Sequence, residues 1–296
     1  MTATNPFNLA PALAQALALP ASAYVGQRIA KTLLIEQIAN LPGSTAADKR
    51  LVNQLLAELH WMAALKPATC GLAAWQTDTH DYLEIAVLHA MLYGSSSAAP
   101  AVSANRPNQL TRLIELIHRT IPYPVVLIVS QPGADGSGNV EQLSLAHKRL
   151  SAGNSSAMVL EQAVTTKSIA PYQRLTGATG QFVHYLAFNQ APNASTNAST
   201  NASILPIHDL YARYGDWLHA AEALAASEYT GQFTVSATAP DAARRRSALA
   251  AYEQLSQQLT SLRAQACKES QLGQRATLNL KIAQGMAERQ ALLSQL

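Results

Sequence analysis

The sequence predicts an α/β protein: a mixed β-sheet flanked by helices, followed by a C-terminal helical hairpin or coiled-coil-like arm. An amphipathic helix lies between two apolar segments, residues 82–93 and 125–129, which is the pattern of a β-α-β unit. Near the C-terminus, leucines four and three residues apart form a heptad seam. We therefore expect an α/β domain at residues 1–190, a low-complexity linker at 191–203 and a helical region at 204–296.

Composition narrows the class of protein. The chain has 296 residues, enough to bury a substantial core, and a formal net charge of +3. Because the net charge is so small, any DNA contact would need a local basic patch. The cysteines, Cys70 and Cys267, are too few and too distant for a disulfide framework or a zinc site, which predicts a cytoplasmic protein. We expect no cofactor, no metal and no membrane span.

Helix signals are strong in the N-terminal part. Thr45 and Asp48 make a capping-box variant, in which the threonine hydroxyl accepts a backbone N–H and the aspartate lies in the first turn. Apolar residues follow at three- and four-residue spacing, so the helix is expected to continue through Leu65 and to stop at Pro67.

The central part predicts the core of the sheet. Residues 82–93, "YLEIAVLHAMLY", are expected to form a central strand. The next helix has one apolar face, formed by Leu110, Leu113, Ile114, Ile117 and Ile121. Further strands are expected at 125–129, 140–148 and 158–165. The glycine-rich turn at 133–139 lacks the lysine-serine or lysine-threonine pair and the following helix of a phosphate-binding loop, so it predicts a hairpin.

The C-terminal region is expected to dock a partner. Helical spacing places Leu210, Tyr214, Trp217 and Leu218 on the inner face of a first helix. Beyond it, two apolar runs lie on either side of Gly273, and their pattern fits a helical hairpin or one long bent helix. The residues expected to dock a partner are Leu255, Leu259, Leu262, Leu278, Ile282 and Met286.

A metal-dependent nuclease is the sharpest catalytic hypothesis. Restriction-type nucleases place an aspartate on one strand and a carboxylate and a lysine, two residues apart, on the next, where the carboxylates hold Mg²⁺. Glu84 begins a strand of the right kind, and Asp78 and Asp81 supply further carboxylates. The residue two positions after Glu84 is Ala86, however, so the lysine of the pattern is missing.

Basic residues give a second hypothesis, contact with nucleic acid or with an acidic partner surface. If the end of a helix and the end of a strand lie close together, their cationic side chains would form a compact basic patch that binds phosphates. An exposed rim with its own ion pairs is the competing interpretation. The residues concerned are His118, Arg119, His147, Lys148 and Arg149, with Arg28 and Lys31 as further candidates.

Several motifs together resemble a known family. "LIHRTIPYPVVLIV" is followed by "LSLAHKRL", and the similarity extends to "VGQRIAKTLLIE", "YLEIAVL", "YTGQF" and "CKESQLGQRATLNLKI". These motifs are similar to those of a bacterial and archaeal family of domains of unknown function. The resemblance implies genes beside DNA helicases and DNA methyltransferases, in restriction-modification or phage-defence clusters. Family members often carry an acidic residue and a lysine along and after the "YLEIAVL" strand, where residues 89–93 are "HAMLY".

The expected function is therefore that of a non-catalytic accessory subunit of a defence or restriction-modification assembly. Its partners would be the helicase or methyltransferase subunits of the same system, with DNA as a further contact. Two alternatives stay open: a divergent metal-dependent nuclease and a stand-alone DNA-binding module.

Overall fold

The computed structural model describes residues 11–94, 106–133, 138–151, 154–169, 176–188, 207–236 and 238–296. The linker expected at 191–203, all but the first residue of a serine- and alanine-rich linker expected at 94–104, and the tip of the glycine-rich turn at 134–137 lie outside the described residues. Within these ranges a six-stranded mixed sheet carries helices on both faces, which confirms the predicted α/β class.

The strands and helices follow in chain order. The strands are β1 (Tyr24–Ile29), β2 (Leu56–Leu65), β3 (Trp75–Gln76), β4 (Asp81–Tyr82), β5 (Ile85–Leu92), β6 (Val125–Pro132), β7 (Asn139–Ser151) and β8 (Asn154–Thr165). The helices are α1 (Ala12–Ala16), α2 (Lys31–Ala39), α3 (Ala46–Leu55), α4 (Pro67–Cys70), α5 (Arg106–Thr120), α6 (Gly177–Tyr185), α7 (Leu210–Thr230), α8 (Ala239–Lys268) and α9 (Leu272–Leu293).

The sheet has the order β1-β2-β5-β6-β7-β8, while β3 and β4 form a separate two-stranded hairpin. Neighbouring strands of the large sheet are antiparallel except for β5 and β6, which are parallel and joined through α5. This confirms the predicted β-α-β unit. The pairing of β6 with β7 likewise confirms the predicted hairpin.

Each face of the sheet has its own hydrophobic core, because successive residues of a strand point to opposite faces. On the α7 face, Val87 and Val126 pack in one cluster with residues of α1, α6 and α7. On the α5 face, Leu88 and Leu127 pack with residues of α2, α3 and α5. The sheet is therefore the middle of three layers.

The prediction for residues 56–65 is wrong. The capping box forms as expected, with Asp48 Oδ2 accepting the Thr45 N–H at 2.9 Å, but α3 ends at Leu55 and the chain continues as strand β2. Strand β2 pairs with β1 on one side and β5 on the other. This pairing satisfies the backbone of both edges and outweighs the helical spacing of the leucines.

The predicted apolar face of α5 is confirmed. Leu113, Ile114, Ile117 and Ile121 are buried against the sheet. On the outer side, Arg119 forms an ion pair with Glu115 at 3.4 Å. None of the helices described is long and apolar enough to cross a bilayer.

The C-terminal arm is a hairpin. Arg263 Nη2 lies 3.4 Å from Met286 Sδ, and the Arg289 guanidinium lies 5.8 Å from the Tyr252 ring centre, so α8 and α9 run in opposite directions. The break falls at residues 269–271, and Gly273 lies inside the first turn of α9 rather than at the end of α8. Helix α7 instead packs on the sheet, where Trp217 is fully buried.

Candidate functional site

A row of polar side chains crosses four strands on the α7 face of the sheet. In the strand register, Arg28 lies opposite His60, and His60 lies opposite His89. Residues directly opposite each other in antiparallel strands share a face. On β6, Ser130 Oγ lies 2.7 Å from His89 Nε2 in a hydrogen bond. We call Arg28, His60, His89 and Ser130 the polar row.

The polar row crosses the carboxyl-terminal halves of the parallel strands β5 and β6, the side on which open α/β sheets bind ligands. It runs from solvent into the core, because the Arg28 side chain is 63% exposed while Ser130 is 3% exposed. Glu58 lies beside it and contacts His60 Nε2 at 2.8 Å and Arg28 at 3.3 Å. The charged groups are therefore at the solvent end.

The pKa values of these groups depend on where each group lies between the exposed end and the buried end of the polar row. The hydrogen bond with His60, and then the positive charge of Arg28, lower the pKa of Glu58. Burial, together with the nearby His60, lowers the pKa of His89 to about 4, because a desolvated imidazolium is unfavourable. At neutral pH His89 is thus an uncharged hydrogen-bonding partner of Ser130, held in the core.

The strand register shows which residues of β5 lie opposite the carboxylate of β2. In the restriction-type nuclease pattern the carboxylate and the lysine are two residues apart on one strand and face an acid on the next. On β5 the residues facing the acidic end of β2 are His89, opposite His60, and Met91, opposite Glu58. Mg²⁺ prefers oxygen ligands, so an imidazole and a thioether do not replace this pair.

The carboxylates predicted from the sequence do not assemble into a site. Glu84 precedes β5, at the end of the strand opposite to His89, and forms an ion pair with Lys66 at 3.0 Å. Asp81 accepts the backbone N–H of Leu83 at 3.2 Å, and Asp78 lies in the exposed connection between β3 and β4. Over the described ranges, no group of three or more His, Cys, Asp and Glu side chains is placed to hold a metal.

Nor do the predicted basic residues form one surface. His118, His147 and Lys148 are buried, with at most 5% exposure. His147 lies on the α7 face, where its Nδ1 is hydrogen-bonded to the Tyr82 hydroxyl. Lys148 points to the opposite face and donates to the carbonyls of Ile121 and Tyr123, just after α5. Its burial lowers its pKa well below the ordinary value.

The remaining basic candidates are separate from one another and have partners. Arg149 pairs with Glu161 on β8, and Arg119 pairs with Glu115. Lys31 donates to the backbone carbonyl of Leu56 at 2.7 Å, which ties α2 to β2. Only Arg28 lies at the candidate site.

A second cluster that sequence reasoning missed surrounds His147. Its ring lies 5.1 Å from that of Tyr211 and 5.4 Å from that of Tyr214, both on α7. Burial lowers the pKa of His147 to about 4 and raises that of Tyr82. These rings, which are buried except for the half-buried Tyr211, join β4, β7 and α7, so the cluster is an anchor for the helix. No local sequence motif predicts this cluster, because its members are far apart in sequence.

The residues predicted to dock a partner instead pack the arm itself. Leu259 is 1% exposed, and its side chain lies against Gly285 of α9. Leu255, Leu262, Leu278 and Ile282 are half-buried within the hairpin. Of the predicted docking residues only Met286 is largely accessible, at 44% exposure.

Comparison with known proteins places the chain in a family but gives it no characterised relative. No curated protein and no solved structure matches it significantly. A family model described as a domain of unknown function (DUF4391) matches residues 17–288, which include every strand of the sheet and most of the arm. The chain belongs to this DUF4391 family of domains of unknown function.

Proposed function

We propose that this protein is a non-catalytic accessory subunit of a bacterial anti-phage defence or restriction-modification assembly, working in the cytoplasm beside a DNA helicase or DNA methyltransferase. The observation that carries the non-catalytic part is the pair His89 and Met91 on β5, opposite His60 and Glu58. A restriction-type nuclease needs a carboxylate and a lysine two residues apart on a strand, and neither His89 with Met91 nor Glu84 with Ala86 supplies that pair. The defence setting rests on the resemblance of the sequence motifs to those of a family whose genes are expected beside helicases and methyltransferases.

The contacts of the carboxylates support the same proposal. Glu84 is 8% exposed and its carboxylate is engaged by Lys66. Glu58, the carboxylate nearest the polar row, is held between His60 and Arg28. Each of these groups has a partner that stabilises the fold, which favours a structural role for the polar row.

DNA cleavage tests the non-catalytic part. The purified protein is incubated with supercoiled and linear DNA in Mg²⁺ or Mn²⁺, beside Glu58→Ala and His89→Ala variants prepared identically. We expect all three proteins to leave the DNA intact, as a mock purification does. Cleavage by the unaltered protein that disappears in Glu58→Ala would overturn the proposal in favour of a divergent nuclease at the polar row.

Co-purification tests the accessory part. Tagged protein is recovered from its native host after the lysate has been treated with a nonspecific nuclease, and a tagged unrelated protein serves as the control. We expect a helicase or methyltransferase to co-purify in stoichiometric amounts. Loss of the association after nuclease treatment would show a DNA-bridged contact, and no association before treatment would contradict the accessory role.

A further inference from the structure

The net positive charge of the chain is concentrated around the turn of the arm. Residues 263–281, which we call the arm tip, include the end of α8, the turn and the start of α9. They hold four of the 21 lysines and arginines and one of the 18 acidic residues, so the rest of the chain has 17 of each. The formal charge of +3 therefore belongs to the arm tip. Its cations are Arg263, Lys268, Arg275 and Lys281.

These four cations are exposed and lack acidic partners. Over the part of the chain that the structure describes, none of them forms an ion pair with a carboxylate. Arg263 Nη2 reaches Met286 Sδ at 3.4 Å, but a thioether is a weak acceptor. Arginines of the sheet domain are neutralised locally, as Arg112 is by Asp48. The positive charge of the arm tip is therefore available to a ligand.

The hairpin arranges the four cations at two levels. Leu259 of α8 packs against Gly285 of α9, so residues that lie equally far from this contact toward the turn are level with each other. Arg263 and Lys281 form the first level, and Lys268 and Arg275 form the second level, nearer the turn. The levels are about 8 Å apart at the helical rise of 1.5 Å per residue. One strand of B-DNA carries a charge about every 3.4 Å along its axis, so cations at this spacing meet phosphates two to three nucleotides apart.

The helices also leave a cleft of about 510 Å³ at this end of the arm. Its walls are formed by Gln265, Lys268, Glu269, Gln274, Thr277 and Leu278. The amides, the hydroxyl and the ammonium group donate hydrogen bonds, and these are the side chains that contact DNA phosphates. The acid of the lining, Glu269, uses one carboxylate oxygen to accept the backbone N–H of Gln271 at 2.7 Å. The other polar groups of the lining suit the oxygen atoms of a phosphate.

We propose that the arm tip binds the phosphate backbone of double-stranded DNA, without reading the base sequence. Residues 263–281 contain no Phe, Tyr, Trp or His. Single strands and RNA loops are bound largely by stacking of bases on aromatic side chains, and protein interfaces are enriched in aromatic residues as well. A duplex presents its phosphates and stacks its bases inside, so cations and hydrogen-bond donors suffice to bind it.

This inference goes beyond the accessory role and does not depend on it. The basic residues that the sequence predicted for DNA contact are buried or have partners, whereas the arm tip is exposed and charged. The test needs the purified full chain and DNA alone, without a helicase or methyltransferase. Its failure would leave the accessory role to be decided by co-purification.

Fluorescence anisotropy of a labelled duplex of arbitrary sequence measures the binding. Affinity should fall about 100-fold between 50 and 200 mM salt, because four phosphate contacts release their counterions. Arg275→Gln with Lys281→Gln removes two contacts, and should weaken binding about tenfold in 50 mM salt and halve the salt dependence. Lys49→Gln with Arg50→Gln, at exposed positions of α3, removes the same charge and should change neither value.

Cys267 gives a measurement of position, because it is exposed within the arm tip. A photo-crosslinker attached to Cys267, in a chain with Cys70→Ser, should capture the duplex. The same reagent at Asn53→Cys, an exposed position of α3, should not capture it when both native cysteines are changed to serine.

Salt-dependent binding that weakens in the arm-tip variant and crosslinks through Cys267 would support the proposal. No binding in 50 mM salt, equal weakening by the α3 control, or capture at Asn53→Cys would overturn it. Tighter binding of a single strand of the same length, of poly-glutamate or of vesicles of anionic phospholipid would also overturn it, since the ligand would then not be duplex DNA.

Discussion

The hydroxyl of Tyr214, on α7, accepts a hydrogen bond from the backbone N–H of Ala146, on β7, at 2.8 Å. The same hydroxyl shares its proton between the carbonyls of Val125, at 2.8 Å, and Ala146, at 3.0 Å. The ladder between β6 and β7 ends at the pair Val126 and Leu145, immediately beside these groups. One side chain thus supplies the bonds that the two strands no longer make to each other.

Tyr214→Phe should lower the free energy of unfolding by about 2 to 4 kcal/mol, because it leaves a buried N–H and buried carbonyls without partners. Urea unfolding, followed by circular dichroism, measures the change. Tyr123→Phe removes a hydroxyl from a residue that is 37% exposed, and should change the free energy by less than about 0.5 kcal/mol. Equal effects of the two substitutions would contradict the bridging role of Tyr214.

Asp48 joins α3 to α5 and should be a second stability centre. Its carboxylate accepts hydrogen bonds from Arg112 at 2.9 and 3.0 Å, in addition to the Thr45 N–H. Asp48→Ala should destabilise the protein by about 3 kcal/mol, since it breaks a buried pair and the capping box together. Glu115→Gln, at a half-exposed partner of Arg112, should cost less than about 1 kcal/mol. Urea unfolding of the two variants measures which substitution lowers the free energy of unfolding more.

Acid should begin to weaken the fold at about pH 6.5, before most carboxylates titrate. Burial lowers the pKa of His118 to about 3 and those of His89 and His147 to about 4, against 6.5 for an unfolded histidine. Between pH 4 and 6.5 the unfolded chain therefore binds more protons, and stability falls as the pH falls. Each histidine contributes at most about 1.4 kcal/mol per pH unit. Glu141, whose pKa is raised by burial, opposes this trend.

Measurement of the unfolding free energy at several pH values tests this slope. Replacing His118 with Gln should reduce the slope by about one proton between pH 4 and 6.5. A slope that His118→Gln leaves unchanged would show that this ring is not held neutral in the core.

Proton titration of the polar row gives a local test. His89 should titrate with a pKa of about 4 in an NMR experiment on the folded protein. His60→Phe should raise the pKa of His89, because it removes the neighbouring group whose charge disfavours the His89 imidazolium. Ser130→Ala, which removes no charge, is the matched control, and an equal upward shift in that variant would argue against the charge effect.

Much of the fold follows from local sequence patterns. The β-α-β unit could be predicted because α5 has a wide apolar face and lies between two apolar strands, of which β6 is rich in β-branched residues. Strand β2 could not be predicted from the sequence, because its leucines have helical spacing. Only its pairing with β1 and β5 makes this segment a strand. The two arm helices were predictable, but the choice between a hairpin and one helix rests on tertiary packing.

The candidate site was harder to predict than the fold. The sequence pattern predicted a site at Glu84 and at His147–Arg149, because these charged residues adjoin apolar strands. Successive side chains of a strand point to opposite faces of the sheet, however, so His147 and Lys148 lie on different faces. The pairing of β2 with β5 places His60 beside His89. Such a site depends on register between strands, which a single sequence does not display.

The two hydrophobic layers of the sheet become complete at different moments of synthesis. The helices of the α5 face all precede β6 in the chain, whereas the α7 face waits for residues 210–230. A ribosome that has released only the strands therefore presents Val87, Val126 and Leu145 without the cover of Trp217. Because uncovered apolar strands of this kind promote aggregation, we expect the nascent chain to need chaperones until α7 has emerged.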